Sequence, residues 1–341
     1  MSSLTDADIR ISVVISTYNR PADLRNALES LSIQSLMPFE VLVVDDSDGT
    51  VAEDVVEPLR EVIRERGSRL EYVRNTRKKG LTVARNLGVD RSGGDVVLFI
   101  DDDVVLDKDY VRHIAGVYSS HPGAVGVQGF HGGDFSPSLT GRLGNAIDRA
   151  FMVWFYSKDS CKVMPSFYPT YPHVATRVIP CQWFSGCNMS YRREVFVKER
   201  FDEALSRYCP GGEDLDFSYR VWKRHPGSLF LAPDAKLEHR YTPSSRPPKR
   251  NFVLMQAVYR RYFAFKNMDP TFRHNLAYSW SAIGKMATSL MRNMKAQAAG
   301  RLNEPCLLEL KYSLEGWALC HRHRRDIRAG HLEFLDEYLD Y

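Results

Sequence analysis

Apolar and polar positions alternate in blocks along the first third of the chain. Ile11–Thr17 (ISVVIST) is a short β-rich apolar run of the kind buried on both faces of a parallel sheet. Arg20-Pro21-Ala22-Asp23 follows, and Pro in a first turn with Leu24, Leu28 and Leu31 on one face predicts a helix. Residues 41–44 predict a second strand, 51–66 a charged helix, and 70–75 a third strand. A helix over 82–89 and a fourth strand over 96–100 complete the pattern. This βαβα rhythm predicts an α/β fold with a mostly parallel, Rossmann-like sheet flanked by helices.

Farther along, frequent glycines over 123–134 and the Pro and Tyr of 164–180 predict loops. Regular structure resumes over 182–191, a helix is expected over 214–224, and LFLAPDAKLEH reads as a strand ending at His239. TPSSRPP then marks a boundary, after which the pattern is helical. Leu254, Val258, Tyr262 and Phe265 form one stripe, and Leu276, Trp280, Ile283, Ala287 and Met291 form another. Pro305 can open a last helix carrying Leu307, Leu310, Leu314 and Trp317.

Two polar clusters interrupt this pattern where ligands of α/β sheets bind, at strand ends, and a third stands before a helix. Asp101-Asp102-Asp103 repel one another unless a cation sits among them. An extended backbone places Asp101 and Asp103 on one face and Asp102 on the other, and paired carboxylates can hold Mg²⁺ or Mn²⁺. The competing reading is a solvated turn or a helix cap, a task for which Asp107 already stands ready. Asp45-Asp46-Ser47 ends the second strand, where a carboxylate can accept bonds from a base or a ribose, and Tyr18 could stack on the base. Gly211-Gly212-Glu213-Asp214 precedes a helix, so its acids either serve chemistry or cap.

The chain has 341 residues, 44% hydrophobic and 26% charged, the balance of an ordinary globular protein and not of a disordered or collagenous one. No apolar run approaches the roughly 20 residues that span a bilayer, and the acidic opening MSSLTDADIR does not read as a signal peptide. Six scattered cysteines without a CxxC pair read as reduced thiols of a cytoplasmic protein. Residues 240–330 hold 17 Lys/Arg against 5 Asp/Glu, whereas residues 1–239 hold 29 against 33. That asymmetry predicts an anionic partner for the second region, or simply solvated helix faces. No nucleic-acid module accompanies it, so nucleic acid is not expected as a partner.

In order, ISVVISTYNRPADLRNALESLSIQ, FEVLVVDDSDGT, GLTVARNLGVDRSGGDVVLFIDDDV, QWFSGCNMSYRREVF and GGEDLDFSYRVW resemble the signature of a family 2 glycosyltransferase of the GT-A fold. The resemblance runs from about Ile11 to His239. It implies an inverting transferase that moves one sugar from a nucleoside-diphosphate-sugar donor to an acceptor hydroxyl, in cell-surface glycan or polysaccharide assembly. It further implies that Thr17, Tyr18, Asp46, Arg85, Asp101 and Asp102 contact the nucleotide. Asp103 and His239 would hold Mn²⁺ or Mg²⁺, Asp214 would be the general base, and Trp183, Asn188 and Glu213 would face sugar and acceptor. Residues 1–240 would then form the catalytic domain, with a nucleotide-binding half to about 103, an acceptor half over 104–240, and a helical extension over 241–341. Processive relatives carry Gln-x-x-Arg-Trp, but here Gln256 is followed by Ala257, Val258, Tyr259 and Arg260, which favours single transfer. The expected partners are a glycan or lipid-linked acceptor, an anionic membrane at its inner face, and a second copy through the C-terminal helices. A nucleotidyltransferase and an inactive sugar-nucleotide binding module stay open as alternatives.

Overall fold

In the computed structural model, which describes residues 9–49, 51–132, 138–206, 212–242, 247–298, 300, 305 and 307–340, the expected alternation is present. The elements of the first half are β1 (Ile11–Thr17), α1 (Pro21–Ser32), β2 (Glu40–Asp45), α2 (Val51–Glu65), β3 (Arg69–Arg74), α3 (Leu81–Arg91), β4 (Val96–Asp101), β5 (Val104–Leu106), α4 (Tyr110–Ser120) and β6 (Gly126–Phe130). Then come α5 (Leu139–Ala150), β7 (Phe155–Ser157), β8 (Thr170–Pro172), β9 (Ile179–Pro180), β10 (Asn188–Arg192), α6 (Glu213–Arg224) and β11 (Leu229–His239). Four helices follow: α7 (Lys249–Asn267), α8 (Phe272–Ala298), α9 (Leu308–Arg322) and α10 (Arg324–Ala329). Gly211, Cys209 and Cys306, singled out in the sequence, lie outside the described residues. The other four cysteines are buried free thiols.

The chain divides into two units. One comprises Met1–Gly132, Val174–Cys209 and Glu213–Arg246, and the other Gly133–His173, Pro210–Gly212 and Pro247–Tyr341. The first unit is built on a sheet ordered β3-β2-β1-β4-β10-β6-β11-β5, with β9 added beside β11. The block β3-β2-β1-β4 is parallel, as its uninterrupted apolar runs require. β10 enters antiparallel between β4 and β6, and β6 returns parallel to β11. Val13, Ile15, Val41, Val43, Leu98 and Ile100 form the centre of the core with Leu24, Leu28 and Leu31 of α1.

Two local expectations need correction. The stretch read as a glycine loop contains β6, because the glycines serve close packing and not a turn. A Cβ on Gly126 would lie 2.7 Å from Leu229 and 2.9 Å from Phe184, and one on Gly129 would lie 2.5 Å from the Ala235 carbonyl oxygen. Asp107 does not cap α4 with its carboxylate; its carbonyl accepts the Tyr110 N–H at 3.0 Å, the N-cap residue Asp109 makes no capping bond, and Gln34 Oε1 accepts the first-turn Val111 N–H at 3.1 Å.

In the second unit α7 packs on α9 and α10, and α8 packs on α9 and α5. Leu254, Val258 and Tyr262 are buried, as their stripe predicts. The stripe on α8 behaves oppositely. Phe272, Leu276, Trp280, Ile283, Met291 and Met294 are exposed, between 45 and 82%. At 3.6 residues per turn they share an arc of about 100°. The helix buries its other side instead, where Tyr278 and the small Ser281, Ala282, Gly284, Thr288 and Ser289 pack inward. Gly284 leaves room there for the ring of Phe151.

Candidate functional site

Register fixes where the strand-end acids go. In the parallel block Thr17 lies beside Asp45, and Ser16 beside Asp101, so β1, β2 and β4 deliver their last residues to one edge. There Asp46 is buried and accepts the Gly80 backbone N–H at 2.7 Å and a bond from Asn75 Nδ2. Burial raises its pKa, with these bonds opposing. Tyr18 is 41% exposed, with Lys79 Nζ 5.5 Å from its ring centre. Thr17 Oγ1 donates to Asp102 at 2.8 Å.

The triple aspartate splits between two faces. Asp102 turns toward Thr17 and Arg20 Nη1, the latter at 3.3 Å, and burial pushes its pKa up to about 7 against the pull of Arg20. Asp101 and Asp103 turn the other way and meet His239 at the end of β11. Each of these three offers one ligand atom, all within 4.8 Å of one another. His239 Nε2 lies 2.9 Å from Asp103 Oδ1, yet this buried nitrogen makes no hydrogen bond of usable direction. A buried polar atom pointing into a carboxylate pair without such a bond fits a divalent cation, whose ligands need lone pairs and not N–H alignment. Without a cation, burial opposes the imidazolium, but Asp103, then Cys187 and Asp101, outweigh it and push His239 up to about 11.

Arg85 ties this cluster to the start of α6. Its Nη2 donates to Asp101 at 3.2 Å and to the Gly186 carbonyl at 3.0 Å, and its Nη1 donates to Glu213 at 3.0 Å. Gly186 N–H in turn donates to Asp214 Oδ2 at 2.8 Å, and Leu215 N–H donates to Oδ1 at 2.7 Å. Burial, then the neighbouring Glu213 charge, push Asp214 up to about 6 against those two bonds. The arrangement therefore offers a cation site and a carboxyl poised to exchange a proton near neutrality, joined through one guanidinium.

The structure brings Thr17, Tyr18, Asp46, Arg85, Asp101, Asp102, Asp103, His239, Glu213 and Asp214 to this network or its edge. It does not bring Asn188 there. That side chain is fully buried, accepts from the Tyr110 hydroxyl at 3.2 Å, and sits in β10 opposite Ile100. Trp183 is buried as well. Sequence reasoning passed over Arg20, which lies 3.3 Å from Asp102 and 3.4 Å from Asp103. It also passed over Gly80 and Gly186, whose backbone groups bind acids; the glycine standing directly before LTVARN was the available signal, and Gly80 adopts a φ of 146°.

The description of the family "Glycosyl transferase family 2" matches residues 12–199, more than half of the chain. The chain belongs to glycosyl transferase family 2. Over 107 residues it is 35% identical to the uncharacterized glycosyltransferase YwdF of Bacillus subtilis, covering 31% of this chain and 37% of that protein. It is 28% identical over 227 residues to the amylovoran biosynthesis glycosyltransferase AmsB of Erwinia amylovora, covering 63% of this chain and 65% of that protein. The chain thus spans between about a third and two thirds of these relatives. The solved mannosyltransferase PcManGT from Pyrobaculum calidifontis, in complex with GDP-Man and Mn²⁺, superposes with a TM-score of 0.53 at 16% identity, over 96% of this chain and 87% of that one. This fixes the fold of the family 2 chain as GT-A, with a helical C-terminal region.

Proposed function

We propose that this chain is an inverting, divalent-metal-dependent glycosyltransferase that moves one sugar from a nucleoside-diphosphate-sugar to an acceptor hydroxyl. The observation that carries the reading is the junction of the Asp101–Asp103–His239 cluster with Asp214 through Arg85. Asp103 and His239, with Asp101 beside them, would hold Mn²⁺ or Mg²⁺, which when bound offsets negative charge on the donor diphosphate. Asp46 and Thr17 would accept and donate bonds to the nucleoside, with Tyr18 against the base. Arg85, already shared among Asp101, Glu213 and Gly186, would hold the acids in register beside the nucleotide.

Asp214 would act as base. The acceptor hydroxyl oxygen forms a bond to the anomeric carbon, the bond from that carbon to the diphosphate breaks, and the hydroxyl proton passes to Asp214. Attack opposite the departing diphosphate inverts the configuration. Glu213 would orient the acceptor through its pair with Arg85. Residues 1–240 would form the catalytic domain.

The exposed stripe of α8 supports a peripheral contact with an anionic membrane, at the inner face for a cytoplasmic enzyme with a lipid-linked acceptor of cell-surface glycan assembly. The helix carries no Asp or Glu. Of its four Lys/Arg, Arg273 and Lys295 flank the arc, while Arg292 pairs with Asp148 and Lys285 lies on the inner side. An apolar arc flanked by cations suits a headgroup region. A homodimer would cover the same stripe, and a sedimentation measurement separates the two. Among the described residues no helix is long and apolar enough to cross a membrane.

A donor screen with UDP-, GDP- and dTDP-sugars tests the central reading. Release of a nucleoside diphosphate should depend on one donor class, stop with chelator, and return with Mn²⁺ or Mg²⁺. Full activity in chelator, or an Asp103→Asn enzyme that works normally, would remove it.

A further inference from the structure

The helical unit contains a cavity of about 280 Å³ walled by α7, α8 and α9. Arg260 lines it, its guanidinium carbon 4.1 Å from the ring centre of Tyr168 and 4.6 Å from that of Tyr278. Stacking occupies the flat faces of a guanidinium and leaves its edge, where all five N–H donors lie, to find acceptors. That edge is only partly answered, with Tyr278 sharing a hydrogen bond with it. One amino group donates a long bond to Ser281 Oγ at 3.4 Å, and the buried Nε has no hydrogen-bond partner.

Charge tells the same story. Lys249 lines the cavity and is answered by Glu309 at 3.3 Å. Lys285 lines it too, and among the described residues neither Lys285 nor Arg260 makes an ion pair with a carboxylate. Three cations thus line the cavity against the single carboxylate of Glu309, which lies in the field of both Lys249 and Lys285, and the largely buried Arg260 has no carboxylate partner among the described residues. A buried ion in that condition weakens a fold, and an apolar residue would pack there at less cost. Phe252, Ala282, Met286 and a half-exposed Trp317 supply the apolar part of the lining.

We propose that this cavity binds a phosphoryl group carrying an apolar substituent, with Arg260 and Lys285 as its anion ligands. A phosphate monoester bears a charge of about −1.5 to −2 at neutral pH, which matches two cations. The guanidinium fork matches two of its oxygens. At about 30 Å³ per water-sized volume, the cavity has room for the phosphate and a short run of carbons beyond it. This site is separate from the strand-end acids and does not rest on the transferase reading.

Calorimetry on the full chain in chelator, without nucleotide, tests it with two probes, inorganic phosphate and octyl phosphate. Octyl phosphate should bind saturably with Kd below about 1 mM, and inorganic phosphate about tenfold or more weakly. Lys285→Met should weaken octyl phosphate about tenfold, Arg260→Gln should abolish binding, and Asp103→Asn should leave it unchanged. If Arg260→Gln fails to fold, Lys285→Met and quenching of Trp317 emission carry the test. Equal affinity for the two probes would overturn the apolar half of the proposal. No saturable binding up to about 10 mM, indifference to Lys285→Met, or loss with Asp103→Asn would overturn the site.

Discussion

The strand-end site and the helical unit each crowd charges of one sign, and they do so by opposite means. At the ends of β1, β4 and β11, Asp101, Asp102, Asp103 and Asp214 gather under Arg20 and Arg85, which answer only part of the negative charge. In the helical unit Arg260 and Arg261 are stacked on tyrosine and phenylalanine faces, with no acid answering Arg260. Crowding like charges costs stability in both places. What survives that cost is an edge suited to a cation and a cavity suited to an anion. The comparison teaches where the molecule departs from a merely stable one, and the departures differ in sign.

Removing the base should show the largest effect. Asp214→Asn should fold and bind donor yet lose about 100- to 10,000-fold in turnover. The sign of the stability change separates chemistry from capping. A carboxyl whose folded pKa is raised to about 6 lowers stability as pH climbs from its ordinary 3.8 toward 6, and that loss is fully present above both values. Asn removes the charge, so its melting temperature at neutral pH should not fall as a lost cap would make it fall. A variant that melts lower and turns over normally would assign Asp214 to the helix end alone.

The same raised pKa sets the acid side of the rate profile. A base must be deprotonated, so kcat/KM should drop as pH falls through about 6, with one proton taken up. A profile flat to pH 4.5, about 1.5 units lower, would place the essential base elsewhere.

Much of the first region was legible because a parallel strand is buried on both faces, and ISVVIST and VVLFI announce that without help from context. The acids were legible because they end those runs. Asn188 was not, because a polar residue inside a motif reads the same whether it faces a ligand or bonds to Tyr110 inside a sheet. β6 was hidden by Gly126 and Gly129, whose need for space comes from strands far away in sequence. On α8 the period of the apolar positions was readable, but periodicity does not say which side of a helix packs; Gly284 and its serine neighbours decided that. The buried pairing of Arg85 likewise depends on residues more than 100 positions away.

Gly129→Ala sharpens the contrast on the structural side. The added methyl would meet the Ala235 carbonyl, a backbone atom held in β11 beside the route to His239. Overpacking of this kind costs about 1–3 kcal/mol, measured by urea unfolding. Metal affinity should drop with it, since β11 positions His239. An alanine variant as stable as the parent would show that β6 and β11 can separate, and that the glycine reading of this strand is wrong.

The smallest stability effect belongs to the exposed arc of α8. Trp280, besides being 45% exposed, donates its indole N–H to the Ala150 carbonyl, so Ile283 and Met294 are the cleaner positions. They are 56 and 55% exposed. Ile283→Ser with Met294→Ser should therefore change unfolding free energy by no more than about 0.5 kcal/mol per site. Flotation with anionic vesicles should fall sharply in the same variant, because each large side chain contributes apolar area to a headgroup-level contact. Loss of several kcal/mol would mean the arc is packed in solution, by a second copy if sedimentation shows a dimer that the substitutions dissociate. Unchanged flotation with unchanged stability would mean that the cations alone hold the surface, and raised salt would then release the protein as screening shortens to a few ångströms, about 3 Å at 1 M.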